Sequence, residues 1–375
     1  MGKFIYFLAL LVVGIGLPAV AMAESSAQSQ PSGKPLRVAI VGLVHGHVAG
    51  FLGPALKRAD IQIVGIVDAD QQLAQRYANQ FKLDPKLLYS DVEQMLTKVQ
   101  PQAVLVYTDT RDHRRVVEAA ARHRIPVMME KPLAVNVEDA LAIKRAADAA
   151  HIHVLVNYET TWYPSNTAVY QLVRDGALGD IRKVVVHDGH KGPKEIGVEP
   201  EFLSWLTDPA RNGAGALFDF GCYGADLMTW LMEGATPITV TAVIQQIKPE
   251  IYPHVDDEAT VILTYPKAQA ILQASWNWPF DRKDMEIYGA TGQAVTVRRD
   301  DLRVRRKGED EERQQSAPAL TAPYNDPISY LIAVASGEIK PTGLSALDTN
   351  VIVVRILDAA RESARTGRTI RLGDR

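Results

Sequence analysis

Cysteine is nearly absent: one residue, Cys222, in 375. That excludes an internal disulfide and any zinc site built from several thiolates. A dominant charge is missing too. Lys and Arg number 41 against 44 Asp and Glu, a net −3 with no long run of one sign, so no nucleic-acid partner is expected. The chain shows no internal repeat. Aromatics make up 7%, within a 47% hydrophobic and 23% charged whole that includes 26 Gly and 21 Pro. That is ordinary globular composition, which excludes collagen-like, disordered and low-complexity classes. The length suits two domains, each burying its own core.

A long apolar run opens the chain. Met1-Gly2-Lys3 precedes the uncharged stretch Phe4 to Val20, and Ala21-Met22-Ala23 places small residues at both specificity positions of a signal-peptidase site. Residues 1–23 therefore read as a signal peptide cut after Ala23, and the expected location is periplasmic or secreted. An uncleaved anchor is the competing reading, because about 20 apolar residues span a bilayer. Pro18 and the Ala-Met-Ala ending favour cleavage, after which no stable membrane insertion is expected. Residues 24–34 read as a polar Ser/Gln/Pro linker.

Short apolar runs then alternate with helical patterns. Strands are expected over 37–43, 61–67, 103–107, 126–129 and 154–158. Helices are expected over 48–58, 71–81, 92–99, 111–124 and 137–150. This alternation predicts an α/β, doubly wound parallel sheet over residues 35–158, with its ligand beyond the carboxyl ends of the strands. From residue 181 strand patterns follow one another with few helices between them, up to two helices at 328–334 and 345–366. Residues 159–375 therefore predict an α+β domain with a large, mostly antiparallel open sheet, suited to substrate binding and oligomerisation.

The turn Gly42-Leu43-Val44-His45-Gly46-His47 sits where a G-x-G-x-x-G dinucleotide fingerprint belongs. Gly42 is in register; Val44 and His47 replace the second and third glycines, and Gly46 offers a shifted close approach. Asp68, ending the second strand, is placed to accept the ribose 2′-hydroxyl and to repel a 2′-phosphate, which favours NAD over NADP. Capping of the next helix is its plainer role. His45 and His47 supply two imidazoles, but no further ligand is evident nearby in sequence, so no metal site is expected.

Glu130-Lys131-Pro132 closes the fifth strand. With the turn before it, this triplet resembles the E-K-P mark of the glucose–fructose oxidoreductase / inositol dehydrogenase family, Gfo/Idh/MocA, of which this chain would be a secreted member. Thr108-Asp109-Thr110 through His113 is similar to the family's T-P-N-x-x-H stretch, with Asp109 and Thr110 departing from it. Gly213 through Tyr223 resembles its glycine-rich loop and catalytic helix, and 287–292 and 358–367 its late landmarks. The resemblance covers nearly all of residues 35–372. It implies NAD as cofactor, held by Gly42, Val44, His45, Gly46, His47, Asp68, Thr108, His113, Glu130 and Lys131. It also implies a cis Lys131–Pro132 bond, a homodimer or homotetramer, and a sugar or polyol substrate.

Dehydrogenating a sugar needs a hydride acceptor and a group that takes the hydroxyl proton. Lys131 suits stabilisation of the developing alkoxide. Asp219 and Tyr223, four apart, would share one helix face; Tyr223 stands where many relatives have histidine. The Lys131 ammonium is expected to lower the tyrosine pKa from about 10. His190, near a strand end, is a second acid/base candidate, and His187 lies beside it. Trp162, Tyr163, Trp205, Trp276 and Trp278 suit either sugar stacking or core packing. The leading reading is an NAD(H)-dependent oxidoreductase acting on CH–OH groups. The alternatives are an NAD-retaining glycoside hydrolase using transient oxidation and elimination, and a non-catalytic secreted sugar-binding protein.

Overall fold

A computed structural model of the chain describes residues 34–373; the expected signal peptide, and the linker apart from Lys34, lie outside them. The first domain runs β1 (Leu36–Val41), α1 (His47–Ala55), β2 (Ile61–Val67), α2 (Gln71–Phe81), β3 (Leu88–Tyr89), α3 (Val92–Val99), β4 (Ala103–Val106), α4 (His113–Arg122), β5 (Val127–Glu130), α5 (Val137–Ala150) and β6 (Val154–Asn157). Its six strands are all parallel, in the order β3-β2-β1-β4-β5-β6. Strands β4 and β5 are buried at every residue, because helices cover both faces of a parallel sheet and apolar runs are the sequences that tolerate this. Side-chain caps start three of the five helices: Asp70 for α2, Asp91 for α3 and Asn136 for α5 each accept backbone N–H bonds. Chain order reverses between β1 and β4, the switch point beyond which a doubly wound sheet binds its ligand.

The second domain begins with α6 (Pro164–Arg174) and β7 (Ile181–Gly189). Five short helices follow: α7 (Pro193–Ile196), α8 (Pro200–Leu206), α9 (Pro209–Asn212), α10 (Ala216–Asp219) and α11 (Gly221–Leu231). Then come β8 (Thr239–Gln245), β9 (Glu258–Thr264), β10 (Gln269–Ser275), β11 (Arg282–Gly289), β12 (Gly292–Thr296), β13 (Asp301–Arg306), β14 (Arg313–Ser316), α12 (Pro327–Ala335), α13 (Leu347–Thr366) and β15 (Ile370–Arg371). Nine strands form one sheet, β14-β13-β12-β11-β7-β10-β9-β8-β15, antiparallel except where β7 meets β10. Along β9 and β10 buried and half-buried residues alternate. The buried set, Val261, Leu263 and Leu272 among it, lies on the face where α10 and α11 pack.

Two findings go beyond the sequence pattern. The sparse-helix expectation holds from β8 to β14, but five helices make up most of the segment between β7 and β8. The tail also divides: α13 lies on α5, α11 and β8, whereas Ile328, Leu331 and Val334 of α12 join the first-domain core with Ile40, Leu52 and Leu155. One apolar core continues from Val104 and Val127 of the first sheet to Val184, Leu272 and Met285 of the second. The domains are thus packed as one body.

Candidate active site

The cofactor loop follows from Gly42. Its φ is +88°, and a Cβ there would stand 2.6 Å from the Thr108 backbone nitrogen, so only glycine fits. Asp68 closes the loop: one carboxylate oxygen accepts from the Leu43 N–H at 2.7 Å, the other from the Asp70 N–H at 2.8 Å. Burial raises its pKa despite those two bonds. Asp70 caps α2, so capping is not the role of Asp68. Gly46 has an ordinary helical φ of −55°; what it gives is room, since a Cβ would press on Glu199 and Phe202 at 3.0 and 3.2 Å. Both neighbours come from the start of α8 or its cap. Trp205 of α8 donates to the Val44 carbonyl at 3.1 Å, and His45 is buried against Phe202 and Trp205. Burial lowers the His45 pKa strongly, leaving a neutral ring.

Thr108 and His113 are buried beside this loop. Asp109, at the family's proline position, caps the turn 110–112 and binds Arg211. His113 donates from Nδ1 to the Leu133 carbonyl at 3.2 Å, and its buried Nε2 has no partner among the described residues. Burial lowers its pKa. These features fit a nicotinamide dinucleotide: a main-chain turn closed at Gly42, an acid at the ribose position, and an orphaned polar atom beside the strand end. The cis Lys131–Pro132 bond implied by the resemblance is present.

At the other end of the cleft, Lys131 Nζ donates to the Asp219 carbonyl at 2.9 Å and forms an ion pair with its carboxylate. Both residues are buried. Desolvation opposes both charges, but each ion outweighs it for the other: Lys131 is raised and Asp219 lowered. Trp276 Nε1 binds the second Asp219 oxygen at 2.9 Å. Asp219 does not share a continuous helix with Tyr223, because Phe220 (φ −109°) separates α10 from α11. Lys131 brings them together instead, its Nζ lying 5.3 Å from the Tyr223 ring centroid.

The expected acidification of Tyr223 is overturned. Burial pushes its phenol well above the ordinary value, and Glu159, Glu130 and Asp219 add to that. The Lys131 charge is spent on Asp219, so desolvation wins. Lys283 of β11 also approaches the Tyr223 ring, its Nζ 5.2 Å from the centroid, and pairs with Glu159. His190 stands edge-on to Phe220 and accepts the Gly192 N–H at Nδ1, 2.9 Å away. Burial lowers its pKa, so the neutral ring keeps its hydrogen on Nε2. His187 is turned to Asp284 at 3.0 Å. Trp162, Tyr163, Trp205 and Trp276 are buried, and the three indoles use their N–H groups to fix Asn157, Val44 and Asp219.

Sequence reasoning missed four residues here. Glu159 and Lys283 form the pair just described. Asp188, in register with Lys283 across β7–β11, has both carboxylate oxygens buried without a hydrogen-bond partner among the described residues and a pKa raised strongly by burial. Asn157 donates to Glu130 Oε1 at 3.1 Å. The second oxygen of Glu130 meets His47 Nδ1 at 3.0 Å, so strand β5 brings a carboxylate to the loop histidines from 83 residues away. Burial works against the Glu130 charge, but His47, Asn157 and Lys131 hold its carboxyl below the usual range. A cavity of about 950 Å³ lies past the far end of α11, lined by Tyr170, Trp230 and Tyr324 and reaching Trp162.

Comparison with known proteins places the whole arrangement. Residues 36–158 match the family model described as an oxidoreductase family with an NAD-binding Rossmann fold. Residues 167–295 match that of the GFO/IDH/MocA C-terminal domain. D-apiose dehydrogenase of Rhizobium rhizogenes is 23% identical over 334 residues, 83% of this chain and 90% of that one. The aldose-aldose oxidoreductase of Caulobacter crescentus, solved with glycerol, superimposes with a TM-score of 0.75 at 24% identity, covering 90% of this chain and all of that one. An inositol dehydrogenase homolog from Azotobacter vinelandii, solved with NAD+, gives 0.77 at 20% identity over 90% and 97%. The chain belongs to the Gfo/Idh/MocA family of oxidoreductases, with an NAD-binding Rossmann domain followed by that family's C-terminal domain.

Proposed function

We propose that this protein transfers hydride reversibly between NAD(H) and a sugar or polyol, with Lys131 and Tyr223 handling the proton. The observation that carries the reading is the buried Lys131–Asp219 ion pair beside Tyr223. Bound NAD supplies the hydride acceptor or donor. Asp68 selects it over NADP, because a carboxylate accepts a hydroxyl and repels a phosphate.

Lys131 and Tyr223 both retain their protons at neutral pH, for the reasons of charge and burial given above. Two donors facing one oxygen stabilise an alkoxide and then protonate it. The resting site is therefore set for carbonyl reduction. Oxidation of an alcohol requires its proton to pass to Tyr223 or Lys131 after that group has discharged its own. Asp219 anchors Lys131 and is too acidic to serve as the base. His190 has Nδ1 engaged and offers a donor at Nε2. These donors are less suited to removing a carbon-bound proton, which the elimination route to glycoside hydrolysis requires.

The relatives add substrate class: proteins named for apiose, aldoses and inositol are all acting on polyhydroxylated rings or chains. The test incubates the purified protein with NADH or NADPH and a panel of aldoses, ketoses and inosose-type cyclic ketones, following NADH fluorescence. Carbonyl-dependent loss of NADH, faster than that of NADPH, is expected. A protein that binds NADH yet reduces nothing in such a panel, and oxidises none of the matching polyols, would sink the reading.

A further inference from the structure

We propose that His45, His47 and Glu130 form a binding site for one divalent transition-metal ion. His47, which replaces the third glycine of the fingerprint, thus joins His45 in bringing imidazoles to a carboxylate. Each of the three offers a ligand atom, and these atoms lie within 4.8 Å of one another; two of the residues are buried and His47 is exposed. His47 Nδ1 and Glu130 Oε2 are 3.0 Å apart. Neighbouring ligands on an ion held at about 2.0–2.1 Å are about 2.9–3.4 Å apart, so this pair already has the spacing of one edge of a coordination polyhedron.

The lone pair of His45 is at Nδ1, where it accepts the His47 N–H over a long 3.3 Å. An ion at that nitrogen displaces a weak contact and leaves the Nε2 hydrogen in place. Glu130 is held from behind: Asn157 Nδ2 binds its other oxygen at 3.1 Å, and Trp162 Nε1 binds Asn157 at 2.9 Å. Ligating carboxylates are commonly oriented by such an outer layer. The remaining closure falls to the His47 side chain, half exposed on the loop.

Two imidazoles with one carboxylate suit Zn2+, Co2+, Mn2+ or Fe2+, whereas Mg2+ and Ca2+ favour all-oxygen sets. Three protein ligands leave at least one position open. Two other histidines also touch acids, His123 on Glu93 at 2.9 Å and His187 on Asp284 at 3.0 Å. Neither gathers a third ligand among the described residues.

The site does not depend on the redox reading, and its test needs neither dinucleotide nor sugar. The tag-free chain is stripped with chelator, titrated with Co2+ under visible absorption, and titrated with Zn2+ by calorimetry. One ion per chain with micromolar or tighter affinity is expected. His47→Ala, at a half-exposed position that the fold does not need, should weaken binding by at least about tenfold, and Glu130→Gln likewise. His123→Ala should leave binding unchanged. Absence of saturable binding, or an intact Co2+ spectrum in folded His47→Ala protein, overturns the proposal.

Discussion

The two ends of the cleft are built on different principles. At the chemical end, Lys131, Asp219 and Tyr223 are fixed by side chains: an ion pair, an indole N–H on the second oxygen, and aromatic rings packed edge-on. At the dinucleotide end, the loop 42–47 is fixed largely through its main chain, with Leu43 N–H on Asp68, His45 N–H on the Tyr107 carbonyl and the Val44 carbonyl on Trp205. Where a charge does the chemistry, residue identity is constrained. Where a backbone path does the holding, Val44 and His47 replace glycines and the path survives, provided that Gly42 keeps its positive φ.

That contrast is open to attack from both sides. The largest effect is expected for Lys131→Ala. It strands a buried carboxylate, which typically costs about 3–5 kcal/mol, and it removes the charge that stabilises the alkoxide; turnover and urea stability should both collapse. The loss should also vary with pH. In the native pair Asp219 is depressed, so its stabilisation is present above the unfolded pKa of about 3.9 and lost as pH falls through the folded value. Without Lys131, burial raises Asp219 instead, and stability then falls as pH rises past about 4. The deficit measured by urea unfolding should therefore be greater at pH 8 than at pH 5; a constant deficit would mean that Asp219 finds another partner.

Tyr223→Phe comes next. Turnover should fall about 10²–10⁴-fold while stability moves by about 1 kcal/mol; near-normal turnover would reduce Tyr223 to a packing residue and turn attention to His190. At the dinucleotide end Gly42→Ala combines a strained φ with contact against Thr108. It should cost about 1–3 kcal/mol and weaken NADH binding in a fluorescence titration. Wild-type affinity there would show that the main-chain path is not what holds the cofactor. The smallest effect on NADH affinity is expected for Trp205→Phe, which loses one N–H bond to the loop, worth about 1 kcal/mol. The smaller ring also leaves a cavity whose cost falls on fold stability. A larger loss of affinity would place side-chain control at this end too, and erase the contrast.

Much of this was legible in the sequence, and the illegible part has a pattern. Helices at 71–81, 92–99 and 137–150 and the strand at 61–67 match the structure residue for residue, because apolar periodicity and Asp or Asn caps are local signals. Lys131, Asp219 and Tyr223 came from motifs, and the structure gathers them. The Tyr223 pKa was misjudged because a neighbouring charge is visible in a motif, whereas the depth of burial and that charge's other partner are not. Lys283 and Asp188 become neighbours only through β7–β11 register, across 95 residues. His47 meets Glu130 only once β1 and β5 lie in one sheet. In the helical insertion over 193–231, α7 to α10 are too short to show a period, and α11 is buried nearly all round, so no polar face marks it.

The core shared by the two sheets bears on how the molecule comes apart. Lys131 belongs to one domain and Asp219 to the other, and their bond spans a boundary sealed by α5 against α13 and by α12 returning to the first sheet. Heating should then give a single calorimetric transition, with the enthalpy of one cooperative unit in place of two separable peaks. A fragment ending at residue 158 loses Leu331, Val334 and the whole of α13 from its packing, and should not fold alone. The Lys131–Asp219 bond is therefore a product of the whole chain's folding, made only where the two domains pack together.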